Sequence, residues 1–205
     1  SIVEAGPTPD ADQAQWFTDP RLAAELVHLA DDLYASFDEW RPNLRVLEPS
    51  AGSGNLVRAI LNAAPITTLV RAVEIDPRWH GTLEALPRTE VSIVDYLTRP
   101  APLHPYNLGV TNPPYDGGEE GPHIAKMLDE CERILALLPA RSLHGDARHK
   151  TIWHRFDARR PERDWYLRQK VHCVLRPKFG EAGGKDEVVL LDMSREPGGC
   201  EARWL

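Results

Sequence analysis

The residues best equipped for chemistry are Thr111-Asn112-Pro113-Pro114-Tyr115, which close the short apolar run Asn107-Leu108-Gly109-Val110. An apolar run stopped by two prolines predicts a buried strand that turns at its carboxyl end. The prolines hold the backbone there, and Pro113 biases Asn112 towards an extended conformation. The turn therefore offers an amide side chain, a Pro113 carbonyl with no competing amide hydrogen after it, and the ring of Tyr115. A planar ligand bearing an NH2 group suits these parts. The amide oxygen and the carbonyl can accept its two N–H hydrogens, and the ring can stack on its face.

Three further predicted strands end in groups that bind ligands. Leu44-Arg45-Val46-Leu47 runs into Glu48-Pro49-Ser50-Ala51-Gly52-Ser53-Gly54-Asn55, and a helix follows with Leu56, Val57, Ile60 and Leu61 facing inward. A glycine turn between strand and helix lets a ligand approach the backbone at a helix N-terminus. Glu48 before it suits an ammonium group, which points to a zwitterionic or cationic ligand and away from a dinucleotide. Leu69 to Val73 ends in Glu74-Ile75-Asp76-Pro77, where a carboxylate can accept from both hydroxyls of a ribose. Val91 to Val94 ends in Asp95-Tyr96-Leu97, where a carboxylate can accept from an adenine amino group. In an open α/β sheet, the carboxyl ends of the strands are where ligands bind.

The remaining elements complete that sheet. Residues 1–15 read as a flexible arm, and 16–205 as one domain. A helix follows Trp16-Phe17-Thr18-Asp19-Pro20, with Asp19 as its cap and Leu22, Leu26, Leu29, Leu33 and Phe37 as its apolar stripe. Asp116 to Pro122 is glycine-rich, a flexible segment able to close over a bound base. His123 to Arg133 reads as a helix and Ile134 to Leu138 as the fifth strand. Val171 to Leu175 and Glu187 to Met193 read as the last two strands. The chain has 205 residues, enough for one α/β domain with a full core. No apolar stretch approaches the roughly 20 residues of a membrane span, and Ser1 to Asp12 is acidic and polar, unlike a signal sequence. Three cysteines (Cys131, Cys173, Cys200) without metal-ligand spacing predict a reduced, cytoplasmic setting and no metal site.

The net charge of −7 excludes a protein that coats nucleic acid with its whole surface. Arg141 to Lys178 is the exception, with eleven Lys or Arg against four Asp or Glu. Trp153, Phe156, Trp165 and Tyr166 are interleaved there. That composition suits a nucleic-acid groove, and it suits an amphipathic surface nearly as well.

Asn112-Pro113-Pro114-Tyr115 resembles the catalytic motif of the S-adenosylmethionine-dependent amino-methyltransferases, best known from DNA adenine-N6 enzymes. Glu48-Pro49-Ser50-Ala51-Gly52-Ser53-Gly54 is similar to that family's cofactor loop, and Phe17-Thr18-Asp19-Pro20 to the upstream cofactor motif of one subgroup. Leu138-Pro139-Ala140-Arg141-Ser142-Leu143, Arg176-Pro177-Lys178-Phe179 and Gly184-Lys185-Asp186 resemble the tail of small phage-type DNA methylases. The resemblance implies a Rossmann-like methyltransferase fold: a seven-stranded, mostly parallel sheet with its last strand antiparallel and helices on both faces. It implies S-adenosyl-L-methionine bound by Phe17, Thr18, Glu48, Pro49, Ala51, Gly52, Gly54, Glu74, Ile75, Asp95, Tyr96 and Asn112. Catalysis falls to Asn112, Pro113, Pro114 and Tyr115. Arg141, Arg148, Lys150, Arg155, Arg159, Arg160 and Lys178 are the expected nucleic-acid contacts.

The expected reaction is methyl transfer to an exocyclic amine of a base, adenine N6 in DNA ahead of a ribosomal RNA base. A glutamine side-chain amide in a release factor, served by the same tetrapeptide, is the further alternative. Enzymes of the subgroup that read a defined DNA sequence carry a recognition domain after the catalytic one. The chain ends at Leu205, so specificity is expected in a separate subunit or in the basic segment.

Overall fold

The structure, a computed structural model, describes residues 18, 20, 23, 24, 27, 44–64, 66–161, 163–172 and 188–196, without the side chains of 168–172. Seven strands form one sheet: β1 (Arg45–Glu48), β2 (Leu69–Glu74), β3 (Thr89–Ile93), β4 (Tyr106–Thr111), β5 (Cys131–Pro139), β6 (Tyr166–His172) and β7 (Val188–Ser194). Their spatial order is β3-β2-β1-β4-β5-β7-β6. The first five run parallel, whereas β7 enters antiparallel between β5 and β6. The chain order thus reverses beside β1, between β2 and β4. Such a switch point opens a crevice at the carboxyl ends of the strands.

Both faces of the sheet are covered, which is why its central strands are continuous apolar runs. Side chains of neighbouring strand residues point to opposite faces, so Val46 and Leu47, Ala72 and Val73, and Leu135 and Ala136 divide between two cores. One core is closed by helix α1 (Asn55–Ala63), through Leu56, Val57 and Ile60, and by Trp79 and Leu83, the latter on α2 (His80–Glu84). Ala23 and Val27 are helical and buried in that same core. The other is closed by α3 (Glu120–Glu130), through Ile124, Met127 and Leu128, and by Ile152, Trp153, Phe156 and Trp165, which follow a short helix α4 (Asp146–Thr151) on its carboxyl side. Gly109 lies mid-strand because a Cβ there would collide with Met127 Cε and Cys131 Sγ. The absent side chain lets α3 pack tightly on β4.

Several element boundaries differ from expectation. The helix after the motif turn ends at Glu130, and Cys131 is already extended and paired with Tyr106, so β5 starts three residues early. The sixth strand begins at Tyr166, before the expected Val171, because Tyr166 to His172 pair with β7. Cys173, Val174 and Leu175 lie outside the described residues, as do the arm, Trp16, Phe17, Asp19, Lys178 and the apolar stripe from Leu22 to Phe37. The glycine-rich segment is not one open loop. Asp116–Gly118 forms a 3-10 turn, and α3 starts at Glu120, whose side chain is wholly buried. Among the described residues, no helix is long and apolar enough to cross a membrane.

Candidate active site

A cavity of about 690 Å³ opens over the carboxyl ends of β1 to β4, the size of an ordinary small-molecule site. The turn after β1 supplies Pro49 and Gly52. The ends of β2 and β3 supply Glu74, Ile75, Asp95 and Tyr96. The turn after β4 supplies Asn112, Pro113, Pro114 and Tyr115. A shallow depression of about 20 Å³ adjoins it, sharing Ser50, Gly52 and Asn112, and adds Thr18 and Ala51. The structure thus gathers twelve of the sequence-predicted residues around two adjoining hollows. Glu48 and Gly54 line neither, and Phe17 lies outside the described residues.

The first turn is built from its glycines and from two carboxylates beneath it. Gly54 has φ of 82°, a left-handed conformation that starts α1 without strain only when no side chain is present. The amide of Gly52 donates to Glu74 Oε2 at 2.7 Å, and the amide of Asp76 to Glu74 Oε1 at 2.9 Å. Glu74 is therefore fixed as it leaves β2. Burial pushes its carboxyl up from the ordinary range, against the pull of those amides.

Glu48 is fully buried. Its Oε1 accepts from the amide of Ser50 at 3.1 Å. Among the described residues neither its Oε2 nor Thr111 Oγ1 has a partner within ordinary hydrogen-bond distance, and a longer contact between the two acts against the upward shift of the acid. Burial raises the Glu48 carboxyl to about 8.

The Asp95-Tyr96 turn is anchored from below. Asp95 Oδ1 accepts from the amide of Leu97 at 2.8 Å. The phenol of Tyr96 points inward, 2 % exposed, and donates to Glu130 Oε2 at 3.2 Å. Arg99 Nη2 reaches the same oxygen at 2.6 Å. The resemblance assigns Tyr96 to the cofactor, but its hydroxyl is engaged in the core, and its contribution to the cavity is its place in the wall. His123, near the start of α3, also lines the cavity. Its Nδ1 lies 2.9 Å from the carbonyl oxygen of Glu119. A carbonyl only accepts, so Nδ1 carries the proton and Nε2 is the acceptor. Burial lowers the His123 pKa, against the opposing pull of the Glu119 carbonyl.

At the motif turn, Asn112 Nδ2 donates to Thr18 Oγ1 at 3.0 Å. Asn112 Oδ1 accepts from the hydroxyl of Tyr115, which also lies 3.0 Å from the carbonyl oxygen of Leu137. Tyr115 is half-buried, packs against the sheet core and also lines the cavity.

In the basic segment, three of the expected contact residues are paired with carboxylates. Arg148 Nη2 pairs with Glu120 Oε1 at 2.7 Å, and Ser142 Oγ donates to the same oxygen at 2.9 Å. Arg155 pairs with Asp129 and Asp164, and Arg159 with Asp157. Trp153, Phe156 and Trp165 are at most 2 % exposed, so these rings are core and not platforms for bases. Tyr166 sits in β6 beneath the guanidinium of Arg163. Arg141, Lys150 and Arg160 are exposed, and Arg141 Nη2 lies 3.5 Å from the Tyr115 carbonyl oxygen.

His123 and Asp76 are cavity residues to which the sequence reading gave no role, whereas Asp116, Gly117 and Glu119 belong to the segment read there as closing over a base. The four-residue spacing of Glu119 and His123 directly after the motif turn was the available signal. Among the described residues, no group of three or more His, Cys, Asp or Glu is placed to hold a metal ion.

No known family model matches the sequence, and no curated protein resembles it closely. Solved structures do. A proposed RNA methyltransferase from Pyrococcus horikoshii superposes with a TM-score of 0.69 at 16% identity, over 94% of this chain and 92% of that one. The 23S rRNA methyltransferase ErmE gives 0.60 at 23% identity, over 89% and 71%. The methyltransferase subunit of a type I restriction-modification system from Streptococcus thermophilus gives 0.62 at 13% identity, over 87% of this chain and 44% of that one. The fold is that of the Rossmann-like methyltransferases. Identities of this size carry the methyltransferase architecture and leave the chemistry to be argued from the site.

Proposed function

We propose that this protein transfers a methyl group from S-adenosyl-L-methionine to an exocyclic amino group of a nucleic-acid base, adenine N6 in DNA being the leading acceptor. The observation that carries the proposal is the meeting of Asn112-Pro113-Pro114-Tyr115 with the acid-tipped ends of β2 and β3 in one cavity. The hollows fit the cofactor. Five carboxylates line the larger one (Glu74, Asp76, Asp95, Asp116 and Glu119), Asp76 already paired with Arg78, and among the described residues no lysine or arginine does, which favours a ligand with cationic groups. Glu48 lines neither hollow; its carboxyl, wholly buried under the glycine turn, meets an ammonium only where the turn yields to admit it. Glu74 suits ribose hydroxyls, Asp95 an adenine amine, and Ile75, left 63 % exposed at the cavity, the face of a planar ring.

Bound there, S-adenosylmethionine supplies an electrophilic methyl on a sulfonium. The chain's own task is the amine. An amine on a base is a poor nucleophile because its lone pair is delocalised into the ring. Asn112 Oδ1 and the Pro113 carbonyl oxygen, accepting its two hydrogens, draw the nitrogen towards tetrahedral geometry and localise that pair. Rate then comes from positioning and electrostatics. In a duplex the base must leave the stack, and the ring of Tyr115 restores part of the lost stacking.

The test offers labelled S-adenosylmethionine with duplex DNA, ribosomal RNA and release-factor protein in parallel, followed by digestion to nucleosides. Label in N6-methyladenosine from DNA is the expected result. Label in RNA or protein alone replaces the acceptor. Asn112→Ala should lower transfer by about 10²-fold or more while cofactor affinity, read by calorimetry, stays within a few-fold. A large loss of cofactor binding overturns the role given to Asn112.

A further inference from the structure

An asparagine amide is nearly symmetric in shape and opposite in chemistry across its two ends. Turned by 180° it presents its NH2 where its oxygen was, at little steric cost. If Asn112 is to accept an amine's hydrogens, something must hold its nitrogen away from the acceptor. The hydroxyl of Tyr115 is not sufficient by itself. It has a single proton and two oxygens beside it, Asn112 Oδ1 and the Leu137 carbonyl oxygen, so it can donate to only one of them.

The second hold comes from far away in sequence. Thr18 is 6 % exposed, and its Oγ1 accepts from Asn112 Nδ2 at 3.0 Å across a separation of 94 residues. Its carbonyl oxygen accepts from Asn55 Nδ2 at 2.8 Å. Asn55 opens α1 directly after Gly54, so one residue joins the glycine turn to the motif turn.

We propose that Thr18 is a positioning residue for Asn112: its hydroxyl captures the amide N–H and thereby turns Asn112 Oδ1 towards the acceptor amine. This rests on the methyl-transfer reading, and it gives Thr18 a task beyond contact with a cofactor. The backbone link to Asn55 fixes the height of that hydroxyl relative to the glycine turn. A side chain that fills the same volume without the oxygen leaves the amide free to rotate.

The decisive comparison is Thr18→Val against Thr18→Ser in the full chain, with Thr18→Ala replacing valine if that variant misfolds. In ¹⁵N-labelled protein, the side-chain NH2 resonances of Asn112 are identified by their loss in Asn112→Ala. Their exchange with solvent should quicken by about tenfold in Thr18→Val, as expected for removal of one hydrogen bond, and return near the parent rate in Thr18→Ser. The turnover rate should fall by about tenfold on the same grounds, with the dissociation constant for S-adenosylmethionine within about threefold, and serine should restore it. Unchanged Asn112 exchange in Thr18→Val overturns the proposal, whatever happens to turnover. A raised cofactor dissociation constant with unchanged exchange assigns Thr18 to the cofactor alone. If the parent protein methylates no acceptor, the functional reading fails by itself, and the exchange rates still judge Thr18.

Discussion

The turns at the carboxyl ends of β1 to β4 and the basic segment from Arg141 to Tyr166 are built from equally polar residues and treat them in opposite ways. In the turns, polar groups are held in place but left with capacity. Among the described residues, Glu48 Oε2 and Thr111 Oγ1 are buried without partners within ordinary hydrogen-bond distance, and Glu74, Asp95 and Asn112 are oriented by hydrogen bonds while lining a cavity. In the basic segment, charge is matched internally. Arg148, Arg155 and Arg159 each sit on a carboxylate, and the large aromatic rings between them are core. Residue type did not separate the two regions. Among the described residues, partnerless buried atoms occur in both, in the basic segment His154 Nδ1 and Trp165 Nε1 among them; what separates the regions is that Glu74, Asp95 and Asn112 line a cavity, whereas Arg148, Arg155 and Arg159 are spent on carboxylates.

The largest expected effect tests the internal use of charge. Glu120 is wholly buried and its Oε1 is held by Arg148 and Ser142. Arg148→Ala leaves that carboxylate without its cation, which typically costs about 3–5 kcal/mol. Urea unfolding should show the loss, and adding Glu120→Gln to the variant should recover part of it. An Arg148→Ala protein of unchanged stability that binds nucleic acid more weakly would place Arg148 with the surface contacts and dissolve the contrast between the regions.

The second effect sharpens the other half of the comparison. The Glu48 carboxyl titrates at about 8 in the folded chain against an ordinary 4.5. Between those values the native state holds a proton that the unfolded state has released, so this residue makes stability fall as pH rises through 4.5 to 8, and the fall ends above 8. The slope should approach about 1 kcal/mol per pH unit. Glu48→Gln removes the titration, and the stability difference between variant and parent should therefore grow with pH across that window. Affinity for S-adenosylmethionine should rise with pH in the parent if an ammonium draws the proton off, and stay flat in the variant. A parent and variant with parallel pH profiles would mean that Glu48 remains ionised and partnered in solution.

The same distinction explains what the sequence disclosed. The strand ends were legible because their signals are local: an apolar run, then Pro, Gly or an acid, within a few residues. Glu74, Asp95 and Asn112, which line the cavity, carry such signals, as do the first five strands in their sequence along the chain; their arrangement in the sheet does not. Arg148 reaches Glu120 across 28 residues, and one of the two partners of Arg155, Asp129, lies 26 residues away; no local pattern marks such pairings. The start of β5 was misplaced for a related reason. Glu130 to Arg133 carries no breaking residue, and the switch from helix to strand is made by pairing with Tyr106. Trp153 and Trp165 read as groove or surface because nearby charges masked them, whereas the second core recruits both. The tie from Thr18 to Asn112 is longer still, and only folding brings it together.

The smallest expected effect concerns the cations at the surface. Arg141 and Lys150 are exposed, and Arg141 stands beside the motif turn through the Tyr115 carbonyl. If a polyanion reaches the cavity past this rim, each alanine substitution should weaken nucleic-acid binding by about two- to fivefold at low salt. The log–log salt dependence should flatten by about one unit for each phosphate no longer neutralised. Fluorescence anisotropy with a short duplex and with a single strand measures both quantities. The acidic wall formed by Asp116 and Glu119 opposes a phosphate at the cavity itself, so the two cations matter by holding the backbone off to one side while a base enters. An Arg141→Ala, Lys150→Ala double variant with the parent's salt slope would move the polyanion to another face, and the basic segment would then be structural throughout.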